Sequence, residues 1–286
     1  MPARRNEMRS WTGIVLAPRA PADDRMGSRL PTFLHPLAGR PLLWHALSAL
    51  ATADPPPSRL LLVSDHEVNP EPFLDVAPSL ERFGAGEADP WSHLAAEGIE
   101  DTVLLADARA PLLATALPGL LAGDAGRVLV DERGRPAAAR LGVNDAERCL
   151  TDWRGMDELP SRVGMERVED PTSAVVVRSR VSLARASGLL RDRLVRRMME
   201  EGVTFLLPET VWIDTDVRIG RDCVIYPSVV IEGATTIGDE TVIGPGCRIL
   251  DSWVGSGVEL KGWNYLSHTS LRNRAIMEPY ARRGFD

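Results

Sequence analysis

The chain has 286 residues, 44 % of them hydrophobic and 26 % charged. That length favours two domains, and that composition excludes disorder over the whole chain. Its net charge of −7 argues against a general nucleic-acid binder. No apolar run approaches the ~20 residues of a membrane-spanning helix. Met1–Gly13 carries basic residues without a following small-residue cleavage site, so no secretory signal is expected. Cys149, Cys223 and Cys247 are odd in number and far apart, which argues against a disulfide framework or a cysteine zinc site. Of the 33 basic residues only Lys261 is a lysine, so a mechanism needing a lysine has one candidate.

In chain order, Thr12–Ala17 is a short apolar strand, and Arg40–Ala51 is a helix with Leu42, Leu43, Ala46, Leu47 and Leu50 on one face. Pro55-Pro56-Pro57 marks a turn before a second strand, Leu60–Ser64. Pro90–Gly98 reads as a short helix, and Thr102–Ala106 as a buried strand ending at Asp107. Arg127–Asp131 and Ala174–Arg178 are further strands. The alternation predicts a parallel sheet flanked by helices. An amphipathic Arg- and Leu-rich helix over 179–202, closed by Gly202, links this part to the next. Its dense arginines, among them Arg178, Arg180 and Arg185, are expected to form a solvated face rather than an anion site.

The remainder has a six-residue period. Ile213, Ile219, Ile225, Ile231, Ile237, Ile243 and Ile249 keep it strictly, and a small or β-branched residue (Val211, Val217, Cys223, Val229, Thr235, Thr241, Cys247) precedes each by two. That period fits neither a helix nor an alternating strand. It fits a parallel β-helix of triangular coils, about 18 residues to a turn, with the isoleucines stacked inward. After Ile249 the phase slips by one residue and resumes at Val254, Leu260 and Leu266, giving about four coils over 211–284.

Val15-Leu16-Ala17, Arg25-Met26, Leu30-Pro31 and Leu34-His35-Pro36-Leu37-Ala38-Gly39-Arg40-Pro41-Leu42 together resemble the opening of the sugar-1-phosphate nucleotidyltransferases. Within them the chain is most similar to the bifunctional N-acetylglucosamine-1-phosphate uridylyltransferase / glucosamine-1-phosphate acetyltransferase family. The likeness resumes at Arg180 and runs to Arg282, clearest in Val242–Cys247 and Glu278–Arg282; residues 122–170 are shorter than in the family and hardly match. The resemblance implies an α/β fold: a shortened Rossmann-like nucleotidyltransferase domain over 1–178, a linker helix over 179–202 and a left-handed β-helix of hexapeptide repeats over 203–286. It also implies UDP-sugar metabolism in the cytoplasm, assembly as a homo-trimer, and Mg²⁺ as the metal of an active enzyme.

Nucleotidyl transfer needs a cradled triphosphate, a Mg²⁺ on phosphate oxygens and an aligned sugar phosphate. The family's glycine-rich phosphate turn corresponds to Leu16–Met26, which here lacks glycine and carries Pro18, Pro21, Asp23 and Asp24. The resemblance maps substrate contacts onto Leu16, Ala17, Arg19 and Arg29, a catalytic role onto Arg25, and a metal-binding catalytic role onto Asp107. A capping or turn role for Asp107 remains open beside the metal role. The family's lysine is replaced by Thr32, and its second metal ligand, an asparagine, by Arg178, whose guanidinium repels a cation. Ala88–Leu94 does not match the base-recognition stretch, and Asn144 and Glu169 are weak sugar-contact candidates. Trp91 and Trp153 read as packing residues and His35 as a structural one. The chain stops at Asp286, before the family's acetyltransferase histidine, asparagine and lysine, and Lys261 and His268 match no catalytic position.

Three readings follow. The chain is an impaired paralogue that binds a nucleotide or a partner, including a full-length relative; or an active Mg²⁺-dependent nucleotidyltransferase using Asp107 and the loop arginines; or a structural trimerisation module that binds no ligand.

Overall fold

The computed structural model describes residues 10–17, 24–64, 66–84, 102–122, 125–151, 156, 159 and 166–284. Pro90–Gly98, Ala88–Leu94, Trp91, Trp153 and Arg19 lie outside the described residues, as do the side chains of Cys149 and Glu169. The chain divides into two compact units, Met1–His35 with Pro41–Ala186, and Pro36–Arg40 with Ser187–Asp286. The division falls within the linker helix rather than at its ends, and a short N-terminal segment joins the second unit.

The first unit is an α/β domain. Its strands are β1 (Thr12–Ala17), β4 (Arg59–Ser64), β5 (Glu81–Gly84), β6 (Thr102–Asp107), β7 (Arg127–Val130), β8 (Pro136–Gly142) and β9 (Glu166–Glu169). The short strands β2 (Pro36–Leu37) and β3 (Arg40–Pro41) pair separately, in the segment that the division gives mainly to the second unit. The main sheet runs β5-β4-β1-β6-β8-β7-β9. β1 pairs in parallel with β4 and β6, but β8 is antiparallel to both β6 and β7. The expected all-parallel sheet is therefore corrected to a mixed one. Ala-rich β8 carries little strand signal of its own, and only pairing with its neighbours defines it.

Alternation along β1 explains why the sheet is covered on both sides. Val15 and Ala17 join one core with Leu43, Leu47 and Leu50 of helix α1 (Leu42–Ala51). Ile14 and Leu16 face a second core with Val128, Leu141 and Ala146. Both faces of such a strand are apolar, hence its unbroken run TGIVLA. Arg40, expected at the start of the first helix, instead belongs to β3, and Pro41 caps the helix. Among the described residues, helices α2 (Leu117–Ala122) and α3 (Val143–Thr151) also precede the linker.

Ala174–Arg178, expected as a strand, is buried extended chain outside the sheet. Its links are single: Val177 N donates to Arg109 O at 2.9 Å, and Arg25 N donates to Arg178 O at 2.7 Å. It leads into α4 (Arg180–Glu200), a 21-residue helix that ends at Gly202, φ 104°.

The second unit is a left-handed parallel β-helix built from short strands in three sheets of five, five and four strands. Ile213 stacks on Ile231, which stacks on Ile249, a spacing of 18 residues. From the slip onward the spacing is 17: Ile237 on Val254, Ile243 on Leu260, Ile249 on Leu266. A second short step brings Leu271 onto Val254 and Met277 onto Leu260. The residue dropped at each step is lost from a corner, so every inward residue keeps its stack. Ile219 is only partly buried, whereas the other six isoleucines are fully buried. Coil stacking leaves no room at Gly244, where a Cβ would lie 2.5 Å from Leu260 O.

Pro36–Arg40 packs within this unit: Thr215 N donates to Ala38 O at 3.0 Å, and Arg40 Nε pairs with Asp216 Oδ2 at 2.6 Å. Gly39 has φ 80°, and a Cβ there would meet Asp214 Oδ2 at 2.8 Å.

Ile243→Ala should destabilise the β-helix by about 2–5 kcal/mol, the cost of a cavity in a stacked core. Denaturant unfolding followed by far-ultraviolet circular dichroism measures it; a loss below about 1 kcal/mol would show that the stack is not close-packed.

Candidate functional site

β1 and β6 are register neighbours at the middle of the sheet, so Leu16 lies beside Asp107 at their carboxyl ends. Ligands of open α/β sheets collect at such an edge. Leu16 and Ala17 are buried in the strand itself, and Leu16 O accepts from Ala108 N at 2.9 Å.

Asp107 is wholly buried, and so is Arg109, at 1 % exposure. Asp107 Oδ1 accepts from Arg109 N at 2.8 Å and Arg109 Nε at 2.9 Å, and Oδ2 accepts from Arg109 Nη2 at 2.6 Å. The carboxylate thus closes an Asx-type turn on its own chain and forms a forked ion pair within it. Both oxygens face a fixed guanidinium. A divalent cation at Asp107 would have to displace that cation or lie against it. Arg178, at the position the resemblance gives to the second metal ligand, is itself 3 % exposed. Asp107 and Arg178 do not fit a Mg²⁺ site.

Of the expected phosphate turn, Leu16, Ala17 and Asp24–Met26 are among the described residues. Asp24 Oδ1 accepts from Met26 N at 2.9 Å, and Asp24 Oδ2 accepts from the Thr32 hydroxyl. A backbone donor of this segment is thereby spent on a carboxylate of the same chain, and Thr32 pairs with that carboxylate too. Arg29 is exposed. His35 is buried, and among the described residues its Nε2 has no hydrogen-bond partner. Burial lowers its pKa from the usual 6.5, and the nearby charge of Arg180 lowers it further.

Arg25 is placed elsewhere. With Arg178 it lines a cavity of about 590 Å³ inside the first unit. The walls are the turn between β7 and β8 (Asp131–Arg135), the extended segment at Val175 and Arg178, and the first turn of α4 with Arg180 and Arg185. Of the arginines expected on a solvated face, Arg180 and Arg185 are exposed as expected and Arg178 is buried, and all three line this open cavity. The helix does present a basic face, but its first turn abuts the Asp131–Arg135 turn, a long-range arrangement that periodicity does not report. Asn144 is exposed at the start of α3. In the β-helix, Lys261 Nζ pairs with Glu278 at 2.6 Å, and His268 is exposed on a corner at φ 47°. Cys223 and Cys247 are free and buried in the stack.

The chain thus joins a Rossmann-like α/β domain, with a buried carboxylate at the carboxyl edge of its sheet, to a β-helix of stacked hexapeptides. The bacterial transferase hexapeptide (six repeats) family matches residues 216–251. The bifunctional protein GlmU of Thermobifida fusca is 29 % identical over 93 % of this chain and 68 % of its own length. GlmU of Corynebacterium diphtheriae is 30 % identical over 81 % of this chain and 61 % of its own. The chain thus spans about two thirds of the length of these relatives. Among solved structures, a 4-diphosphocytidyl-2C-methyl-D-erythritol synthase covers 64 % of this chain and 99 % of its own, at 14 % identity and a TM-score of 0.47. Over most of its length the chain is similar to the GlmU proteins.

Arg109→Leu leaves a buried carboxylate without its cation and should destabilise the first unit by about 3–5 kcal/mol, whereas the Asp107→Leu/Arg109→Leu pair should recover most of that loss. Urea titrations of the three proteins check this, and equal losses in the single and double variants would count against an ion-pair role. His35 binds fewer protons folded than unfolded just below pH 6.5, so stability falls as pH drops through that range. His35→Gln should flatten the dependence, read from unfolding midpoints at pH 7.5 and pH 5.

Proposed function

We propose that this chain is a GlmU-like protein of UDP-sugar metabolism whose nucleotidyl transfer is impaired and which acts by binding a nucleotide or a partner. The observation that carries the reading is the Asp107 carboxylate, whose two oxygens are both held by buried Arg109. In-line transfer to a sugar phosphate needs a cation to bridge phosphate oxygens and a donor-rich turn to cradle them. Arg178 in place of a ligand supplies no metal site, and Asp24 takes up the Met26 N–H and the Thr32 hydroxyl at the described end of the turn. No step through a metal is assigned.

The rest of the reading is a cytoplasmic homo-trimer assembled through the β-helix, or a mixed assembly with a full-length relative. Its support is the outward apolar side chains of that unit, among them Trp253, Trp263, Ile276 and Tyr280. Among the described residues no helix is long and apolar enough to cross a membrane.

One observation favours an active Mg²⁺-dependent enzyme instead: Asp107 stands at the carboxyl end of β6 beside Leu16, where a transferase would place its carboxylate. Pyrophosphate release separates the two. The purified chain, given Mg²⁺, the four nucleoside triphosphates and a panel of sugar-1-phosphates, should release no pyrophosphate above its Asp107→Ala variant. Release that disappears in Asp107→Ala would establish an active transferase and overturn the impaired reading. Light scattering alone and with a full-length relative reports the assembly, and a monomer in both would overturn that part.

A further inference from the structure

We infer that the arginine-lined cavity of the first unit binds a phosphate-bearing small molecule without a divalent cation. This rests on the reading of the domain as one that binds rather than transfers, and it names the chemical class bound.

The charge balance of the cavity carries the argument. Six guanidiniums line it (Arg25, Arg133, Arg135, Arg178, Arg180 and Arg185) against two carboxylates, Asp131 and Glu132. The carboxylates are already engaged, Asp131 by Arg135 at 2.5 Å and Glu132 by Arg185 at 2.5 Å. Asp131 also accepts from the backbone N–H groups of Arg133 and Arg135 at 2.9 Å each, which fixes the turn. Among the described residues Arg25, Arg133 and Arg180 have no carboxylate partner, and the Arg180 side chain donates only to Met26 O, at 3.3 Å. Buried Arg178 also lines the space. The three guanidiniums without a carboxylate partner are exposed at the mouth of one concavity, where solvent screens part of their mutual repulsion and an anion relieves the rest.

The cavity wall favours phosphate over other anions. It includes the first turn of the 21-residue α4, from Ser179 to Ser182. There Ser179 Oγ accepts from Ser182 N at 3.2 Å, so the helix start is capped, while the N–H groups of Arg180 and Val181 have no acceptor among the described residues. Tetrahedral oxyanions are held by such first-turn amides together with forked guanidinium donors. About 590 Å³ is more than one inorganic phosphate needs and lies within the range of small-molecule sites. Val175 and Val181 add apolar wall for an organic moiety. A divalent cation has no role here: the arginines supply the positive charge that a metal supplies elsewhere, and they repel a metal.

Isothermal titration of the full chain with inorganic pyrophosphate, uridine diphosphate and glucose 1-phosphate tests this, each in EDTA and in excess Mg²⁺. At least one should bind, with affinity equal within about twofold in the two buffers and weakening as KCl rises. Arg25→Glu/Arg133→Glu should weaken binding more than tenfold, and Arg196→Glu, on the same helix outside the cavity, less than twofold. Pyrophosphate and the diphosphate binding alike would assign the affinity to phosphate, and tighter binding of an organic ligand would add its nucleoside or sugar. The inference is overturned by no binding of any probe, by loss of binding in EDTA, or by equal weakening in the two charge-reversed variants. Pyrophosphate release with EDTA-insensitive binding would overturn the impaired-enzyme reading and leave the cavity standing; neither release nor binding would do the reverse.

Discussion

The forked ion pair between Asp107 and Arg109 governs the chemistry available to the first unit. A carboxylate at the carboxyl edge of a central strand is a strong place for a cation, because the backbone holds it rigidly and burial strengthens its field. Here the cation is covalently part of the chain, two residues away. It satisfies both oxygens without recruiting anything from solution. Taking such a pair out of water is costly, and the bonds it makes internally offset that cost only while both partners are present.

The same substitution of internal for external partners recurs across the domain. Asp24 turns back on Met26 and Thr32 at the end of the segment that aligns with the family's phosphate turn. Positive charge is concentrated instead around the cavity below the start of α4, where Arg25 and Arg178 meet through a backbone hydrogen bond of 2.7 Å. A family-type site needs external Mg²⁺ and presents backbone donors to phosphate. This chain presents guanidiniums, which need no metal and cannot leave.

The β-helix follows a different logic. Each coil buries one inward side chain per face on its counterparts above and below, so the structure tolerates a lost corner residue but not a lost stack. The change of spacing from 18 to 17 between Ile231/Ile249 and Ile249/Leu266 shows this directly. Its cysteines, Cys223 and Cys247, serve as small inward fillers; burial raises both thiol pKa values, which makes them poor nucleophiles.

The β-helix was legible from the isoleucine period alone, because in a solenoid every contact repeats at a fixed sequence interval, and the phase slip appeared as a one-residue change in that interval. The strands Thr12–Ala17 and Thr102–Asp107 were legible as unbroken apolar runs, since central strands are buried on both faces. The replacements at Thr32 and Arg178, and the absence of glycine from the turn, could also be read without a structure. The direction of β8 could not, because antiparallel pairing depends on which edges meet and leaves no period. Ala174–Arg178 has a strand's composition but finds no ladder partner. The Asp107–Arg109 pair was invisible because a spacing of two fits a turn as well as it fits nothing. The arginines at 178, 180 and 185 read as a solvated face from periodicity. Arg180 and Arg185 are exposed as that reading has it, but only tertiary structure buries Arg178 and sets all three along one concavity, because the β7–β8 turn on its other side lies more than forty residues earlier in the chain.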